Sequence, residues 1–107
     1  MDAQRTSRNQ EILDQVEGLG GAYVWDAEIF TVAFMNGTIA DDTALLLTQL
    51  TGVQQIALTP SGLTFPVLHA IASVPGLESL VLFNSALDEN QLKCLRLVVS
   101  EVIEAHQ

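Results

Sequence analysis

Three consecutive stretches of 24 residues align without a gap, at positions 29–52, 53–76 and 77–100, and this limits the fold more than any other feature of the chain. Seven columns are apolar in every row. They hold Ile29, Val53 and Leu77; Val32, Ile56 and Leu80; Phe34, Leu58 and Leu82; Ile39, Leu63 and Leu87; Ala44, Leu68 and Leu92; Leu47, Ile71 and Leu95; and Leu50, Val74 and Val98. A fixed period of this length marks a unit that cannot bury its apolar face alone and does so by stacking on copies of itself.

Within each unit the apolar spacing changes. Around Val32-Ala33-Phe34 and Leu80-Val81-Leu82 alternate residues are apolar, which is strand spacing. Leu68, Ile71 and Val74, and below them Leu92, Leu95 and Val98, recur every third residue, which is helix spacing. Each unit therefore reads as strand, turn and helix. Stacked copies make the strands parallel and place the helices outside.

Read along one unit, Leu77-x-x-Leu80-x-Leu82-x-x-Ser85-x-Leu87 resembles the signature of leucine-rich repeats, L-x-x-L-x-L-x-x-N-x-L. The other two units match at the same apolar positions. The lead-in Leu19-Gly20-Gly21 is similar to that of small bacterial members of the group. The resemblance implies an α/β fold: a short right-handed solenoid, with parallel strands on the concave face and helices on the convex face. In the group, the turn position held here by Gly37, Ser61 and Ser85 usually carries Asn or Cys, so some turn backbone must find other partners.

Both ends of such a stack need closing. At the start, residues 7–17 read as a helix with Ser7 and Gln10 in capping-box spacing and Ile12, Leu13 and Val16 as its apolar stripe. Gly18, Gly20 and Gly21 end it. Residues 22–25 read as a strand that turns through Asp26-Ala27-Glu28 into a hairpin, with Tyr23 and Trp25 over the open core. At the far end, Asp88 and Gln91 form a second capping box, and the last helix is expected to continue through Val99, Val102 and Ile103 to about residue 105. The whole reads as a single domain: a helix-hairpin cap at 1–28, repeats at 29–100, and the end of the last helix at 101–107.

Charge narrows the partners. The formal net charge is −9, and no Lys or Arg occurs between Arg8 and Lys93. A nucleic-acid face needs clustered basic residues, so neither nucleic acid nor an anionic membrane surface is expected as a partner. A protein steered by charge would be basic. No apolar run approaches the roughly 18 residues of a membrane span, and the polar residues 1–10 lack the apolar core of a signal peptide. With the lone Cys94 there is no internal disulfide. A cytoplasmic protein is the expectation.

Signals for chemistry are few. His69 and His106 lack metal-ligand or catalytic spacing. Cys94 shares a column with Leu46 and Ala70 and reads as a half-buried helix residue. The acidic pairs Asp41-Asp42 and Asp88-Glu89 open predicted helices, where the helix dipole favours negative charge. Locally, Ser61-Gly62-Leu63 resembles the strand-to-helix turn of sulfate-transporter/anti-sigma-antagonist (STAS) domains, in which a Ser at that place is phosphorylated. The sheet of those domains does not account for a 24-residue period. No enzymatic activity, cofactor or metal is expected.

The candidate site is the strand face turned from the core, where the third, fifth and seventh residues of each unit point. These are Thr31, Ala33 and Met35; Gln55, Ala57 and Thr59; and Ser79, Val81 and Phe83, none of them charged. Asp41, Asp42, Asp88 and Glu89 lie near the turns after the strands and are expected to add an acidic rim for a basic partner. Function in leucine-rich-repeat proteins resembles protein binding on this face, so the expectation is a protein-protein interaction module centred on Met35 and Phe83. Two alternatives stay open: an immunity or inhibitor protein that blocks a basic toxin or enzyme, and a self-associating unit, such as a homodimer.

Overall fold

Residues 24 apart in the sequence lie side by side in the fold. Thr31, Gln55 and Ser79 are neighbours across three parallel strands, as are Val32, Ile56 and Leu80, and Ala33, Ala57 and Val81. The computed structural model describes the backbone of residues 2–105 and the side chains of residues 8–35 and 37–105. In chain order the elements are α1 (Asp2–Gly18), β1 (Ala22–Trp25), β2 (Phe30–Thr38), α2 (Asp41–Leu47), β3 (Gln55–Thr59), a 3-10 turn (Pro60–Gly62), α3 (Phe65–Ala72), β4 (Ser79–Phe83), α4 (Glu89–Arg96) and β5 (Glu101–Ala105). The fold is mixed α/β. Its open sheet has five strands in sequence order, β1 pairing β2 antiparallel and every later pair parallel.

One face of the sheet forms the core. Val32 and Phe34, Ile56 and Leu58, and Leu80 and Leu82 are buried in one cluster with Ala44 and Leu47 of α2, Leu68 and Ile71 of α3, and Leu92 and Leu95 of α4. Alternation on each strand aims these residues at the helices, and three-residue spacing on each helix aims the reply. Each fully buried Leu or Ile contributes about 1.5–3 kcal/mol in transfer terms. The short helices are stable because they bury this stripe, since isolated helices of such length are not. α2 and α3 both return to the next strand through a glycine, Gly52 or Gly76, each at φ +87°. A side chain with a β-carbon is strained there.

The expected N-terminal helix and hairpin are both present. Ile12, Leu13 and Val16 of α1 are fully buried. Tyr23 and Trp25 pack on the core edge, and Trp25 stacks on Phe30 with ring centroids 5.2 Å apart. The hairpin turns where expected, held by Asp26, whose Oδ1 accepts the Glu28 and Ile29 N–H groups. The helix start differs: α1 begins at Asp2, so position 7 lies inside the helix. Ile29 is spent in the hairpin turn and is 50% exposed, and Phe30 is buried beside it.

The C-terminal reading is corrected. α4 ends at Arg96, and residues 101–105 are a fifth strand instead of the end of a helix. Val99 and Val102 are three apart, which reads as helix spacing, but Val53 and Ile56, and Leu77 and Leu80, are also three apart where each repeat enters its strand. The register pairs Leu80 with Val102, 22 residues on, so this stretch joins the sheet as a parallel strand. The β-branched run Val98-Val99 and Val102-Ile103 favours strand over helix. The unpaired edge of β4 supplies the hydrogen bonds. Val99 is then buried in place of Val98, which the seven-column alignment had put inside.

Candidate functional site

The extra strands at both sides widen the face opposite the core. β1 adds Ala22 beside Ala33 and Val24 beside Thr31. β5 adds Glu101 beside Ser79 and Ile103 beside Val81. One row thus crosses all five strands as Ala22, Ala33, Ala57, Val81 and Ile103, small or apolar throughout. The next row runs Val24, Thr31, Gln55, Ser79 and Glu101, with one charge at its end. Val24, Met35 and Ile103 are exposed large apolar side chains of this face.

Of the residues expected to line the face, Thr31, Gln55, Ser79 and Val81 are half-buried and Met35 is 50% exposed. Ala57, Thr59 and Phe83 are not available: all three are buried, Ala57 to 7% and Phe83 to 8% exposure. They sit on β3 and β4, which have a strand on each side, and Phe83 is registered against the small Ala105 on β5. The accessible part of the face therefore moves from Phe83 to Val81 and Ile103. Met35 lies at a register irregularity between Ala33 and Thr38, so it is not aligned with Phe83 in one column.

Sequence reading missed Ala22, Val24, Glu101 and Ile103. The alternation of β1 places Val24 opposite in sense to Tyr23 and Trp25, and that signal was present. For β5 the signal was the β-branched pair Val102-Ile103.

The acidic rim is partly engaged. Asp41 Oδ1 accepts the backbone N–H of Thr64 at 3.0 Å and Oδ2 accepts its hydroxyl at 3.2 Å, tying the start of α2 to the start of α3. Asp41 therefore caps the neighbouring helix entry, while Asp42 is exposed. Asp88 caps α4: it accepts from the Gln91 N–H, and Gln91 Oε1 accepts from the Asp88 N–H. Ser85 Oγ donates to Glu104 at 2.6 Å, so it serves the β4–β5 pair and not its own turn.

The remaining polar candidates do not converge. Cys94 is exposed, in contrast to the half-buried position expected for it. His69 is half-buried with its ring tilted against Phe65, centroids 6.2 Å apart. Ser61 is exposed in the 3-10 turn. His106 lies outside the described residues. A cleft of about 270 Å³ opens at the hairpin, between Trp25, Asp26, Glu28, Ile29 and Gly52. The N–H groups of Glu28 and Ile29 hold the Asp26 carboxyl below the usual carboxylate range. No described helix is long and apolar enough to cross a membrane.

No protein-family model, curated protein or solved structure matches this chain.

Proposed function

We propose that the chain is a short right-handed solenoid of leucine-rich-repeat type and that it acts as a non-enzymatic module binding another protein on its sheet face. The 24-residue register of β2, β3 and β4 supports the first part. The observation that carries the second is the row Ala22, Ala33, Ala57, Val81 and Ile103, which crosses five strands without a charge in a chain of net charge −9. A solvated face of so acidic a protein ordinarily carries charges, and a rimmed apolar patch is the mark of a contact surface.

Area sets the terms. Five strands at about 4.8 Å spacing give a face roughly 19 Å wide, a few hundred Å² in all. A standard interface takes about 800 Å² per partner. A partner must therefore also engage elements beside the face, where Asp42 of α2 and Glu101 at the start of β5 offer negative charge. The acidity also favours a second reading, an inhibitor or immunity protein directed at a basic target. Steep loss of binding with added salt separates that reading from the first.

The test is co-purification with wild type and with a Val24→Asp, Val81→Asp double variant, both checked for native circular dichroism. A partner retained by wild type and lost by the variant supports the face. Equal retention by both overturns it and moves binding to the helices.

A further inference from the structure

We infer that the outer edge of β5 pairs with β5 of a second copy of this chain, antiparallel and about a twofold axis at Ile103. This surface is the sheet's edge and does not depend on the protein-binding role of its face.

Backbone direction carries the argument. The Glu101 N–H donates to the Glu78 carbonyl at 3.1 Å, and the Ala105 carbonyl accepts the Asn84 N–H at 2.8 Å. In a strand the bonding direction alternates from residue to residue. Glu101, Ile103 and Ala105 therefore turn their N–H and C=O groups to β4. Val102 and Glu104 turn theirs to the free edge, since β5 pairs with β4 alone among the described strands.

An antiparallel twin centred on Ile103 meets this pattern. Val102 faces Glu104 of the second copy and Glu104 faces Val102, and each such pair exchanges both of its bonds. All four outward groups of each strand are satisfied. The two Ile103 side chains meet at the non-bonded position on the axis, where α-carbons approach to about 4.5 Å. Glu101 faces Ala105, so no carboxylate opposes another directly.

Charge and exposure agree with a self-contact here. Proteins protect edge strands with charged side chains, but both β5 carboxylates are turned back over β4. Ser79 Oγ donates to Glu101 at 2.8 Å and Ser85 Oγ donates to Glu104 at 2.6 Å. Lys93 and Arg96 offset Glu101 and Glu104, so residues 93–105 are neutral in a chain of net charge −9. Two copies can meet at this end without the repulsion that would separate them elsewhere. Leu97, 85% exposed, and Val98 lie on the connection into β5. A five-residue strand edge covers less than the roughly 800 Å² per partner of a stable dimer, and these two side chains extend it.

Mass in solution, measured by sedimentation equilibrium over a wide concentration range, tests the pairing. Wild type is expected to rise from 11.6 kDa to twice that value. Glu104→Pro removes one edge N–H and no bond to β4, and proline is tolerated at such edge positions. It should weaken the dimer by about 100-fold or more. Glu104→Ala, which keeps the N–H, should dimerise as wild type does. Amide exchange of wild type gives a readout independent of the variants: the Val102 and Glu104 amides should become protected as concentration rises, while those of Glu101 and Ile103 are protected throughout. A wild type that stays monomeric overturns the proposal, including one that pairs only with a strand of another protein. So does a dimer whose Val102 and Glu104 amides exchange freely. A Val24→Asp, Val81→Asp variant that still dimerises but binds no partner separates this edge from the face.

Discussion

Asn9 and Thr51 hold each other reciprocally. The Asn9 side-chain amide donates to the Thr51 carbonyl at 2.9 Å, and the Thr51 N–H donates to Asn9 Oδ1 at 3.0 Å. Asn9 is buried, and through this pair α1 closes the turn between α2 and β3. An unpaired buried polar group costs about 1–3 kcal/mol. Asn9→Ala is therefore expected to destabilise the fold by about that amount in urea unfolding. Asn9→Asp should cost more, because a carboxylate can accept from the Thr51 N–H but repels its carbonyl. Equal stability of wild type and both variants would show that the cap is not fastened here.

The capping box of α4 gives a smaller effect. Asp88→Ala removes the acceptor for the Gln91 N–H. The expected loss is about 1 kcal/mol, read as a lower Tm. Asp88→Asn, which keeps an acceptor oxygen, should recover most of it.

Phe83 and Met35 should behave oppositely although the sequence places them alike. Phe83→Ala removes a buried ring and is expected to cost about 3–5 kcal/mol. Met35→Ala, at a half-exposed position, should stay within about 0.5 kcal/mol of wild type. Denaturant midpoints of the two variants check this. A neutral Phe83→Ala would return that ring to the binding face.

Strong acid should loosen the hairpin. The Asp26 carboxyl titrates below its ordinary value because the Glu28 and Ile29 N–H groups bond its charged form. A group depressed on folding contributes stability above its unfolded pKa, about 3.9, and loses it as pH falls through the lower folded value. Carboxyl chemical shifts followed by NMR should place the Asp26 midpoint below the ordinary aspartate value, and Asp26→Asn should remove the hairpin's acid transition. An ordinary midpoint for Asp26 would refute the turn geometry.

Much of the fold can be read in the sequence because burial on the strands and helices is set by local period. Val32, Ile56 and Leu80, Phe34, Leu58 and Leu82, and Leu47, Ile71 and Leu95 are each buried as their spacing requires. The register of β2, β3 and β4 keeps the 24-residue offset of the alignment. The Asp88 capping box and the Asp26 hairpin were equally plain, since both are built from residues within three positions of each other. The face was legible in outline and not in its centre, because exposure depends on neighbours that the strand's own alternation does not name.

What tertiary structure decided lies where the repeat has no neighbour to copy. Ile29 belongs to an apolar column but is taken up by the hairpin turn, and Val98 gives way to Val99 at the other end. Residues 101–105 carry a spacing that serves a helix or a strand entry, and the bonding groups on the edge of β4 chose the strand. A sequence fixes which residues seek burial through their period and polarity. Which of them find it at the ends of the sheet depends on whether an open backbone edge or an uncovered core is there to receive them, and only the assembled fold supplies that.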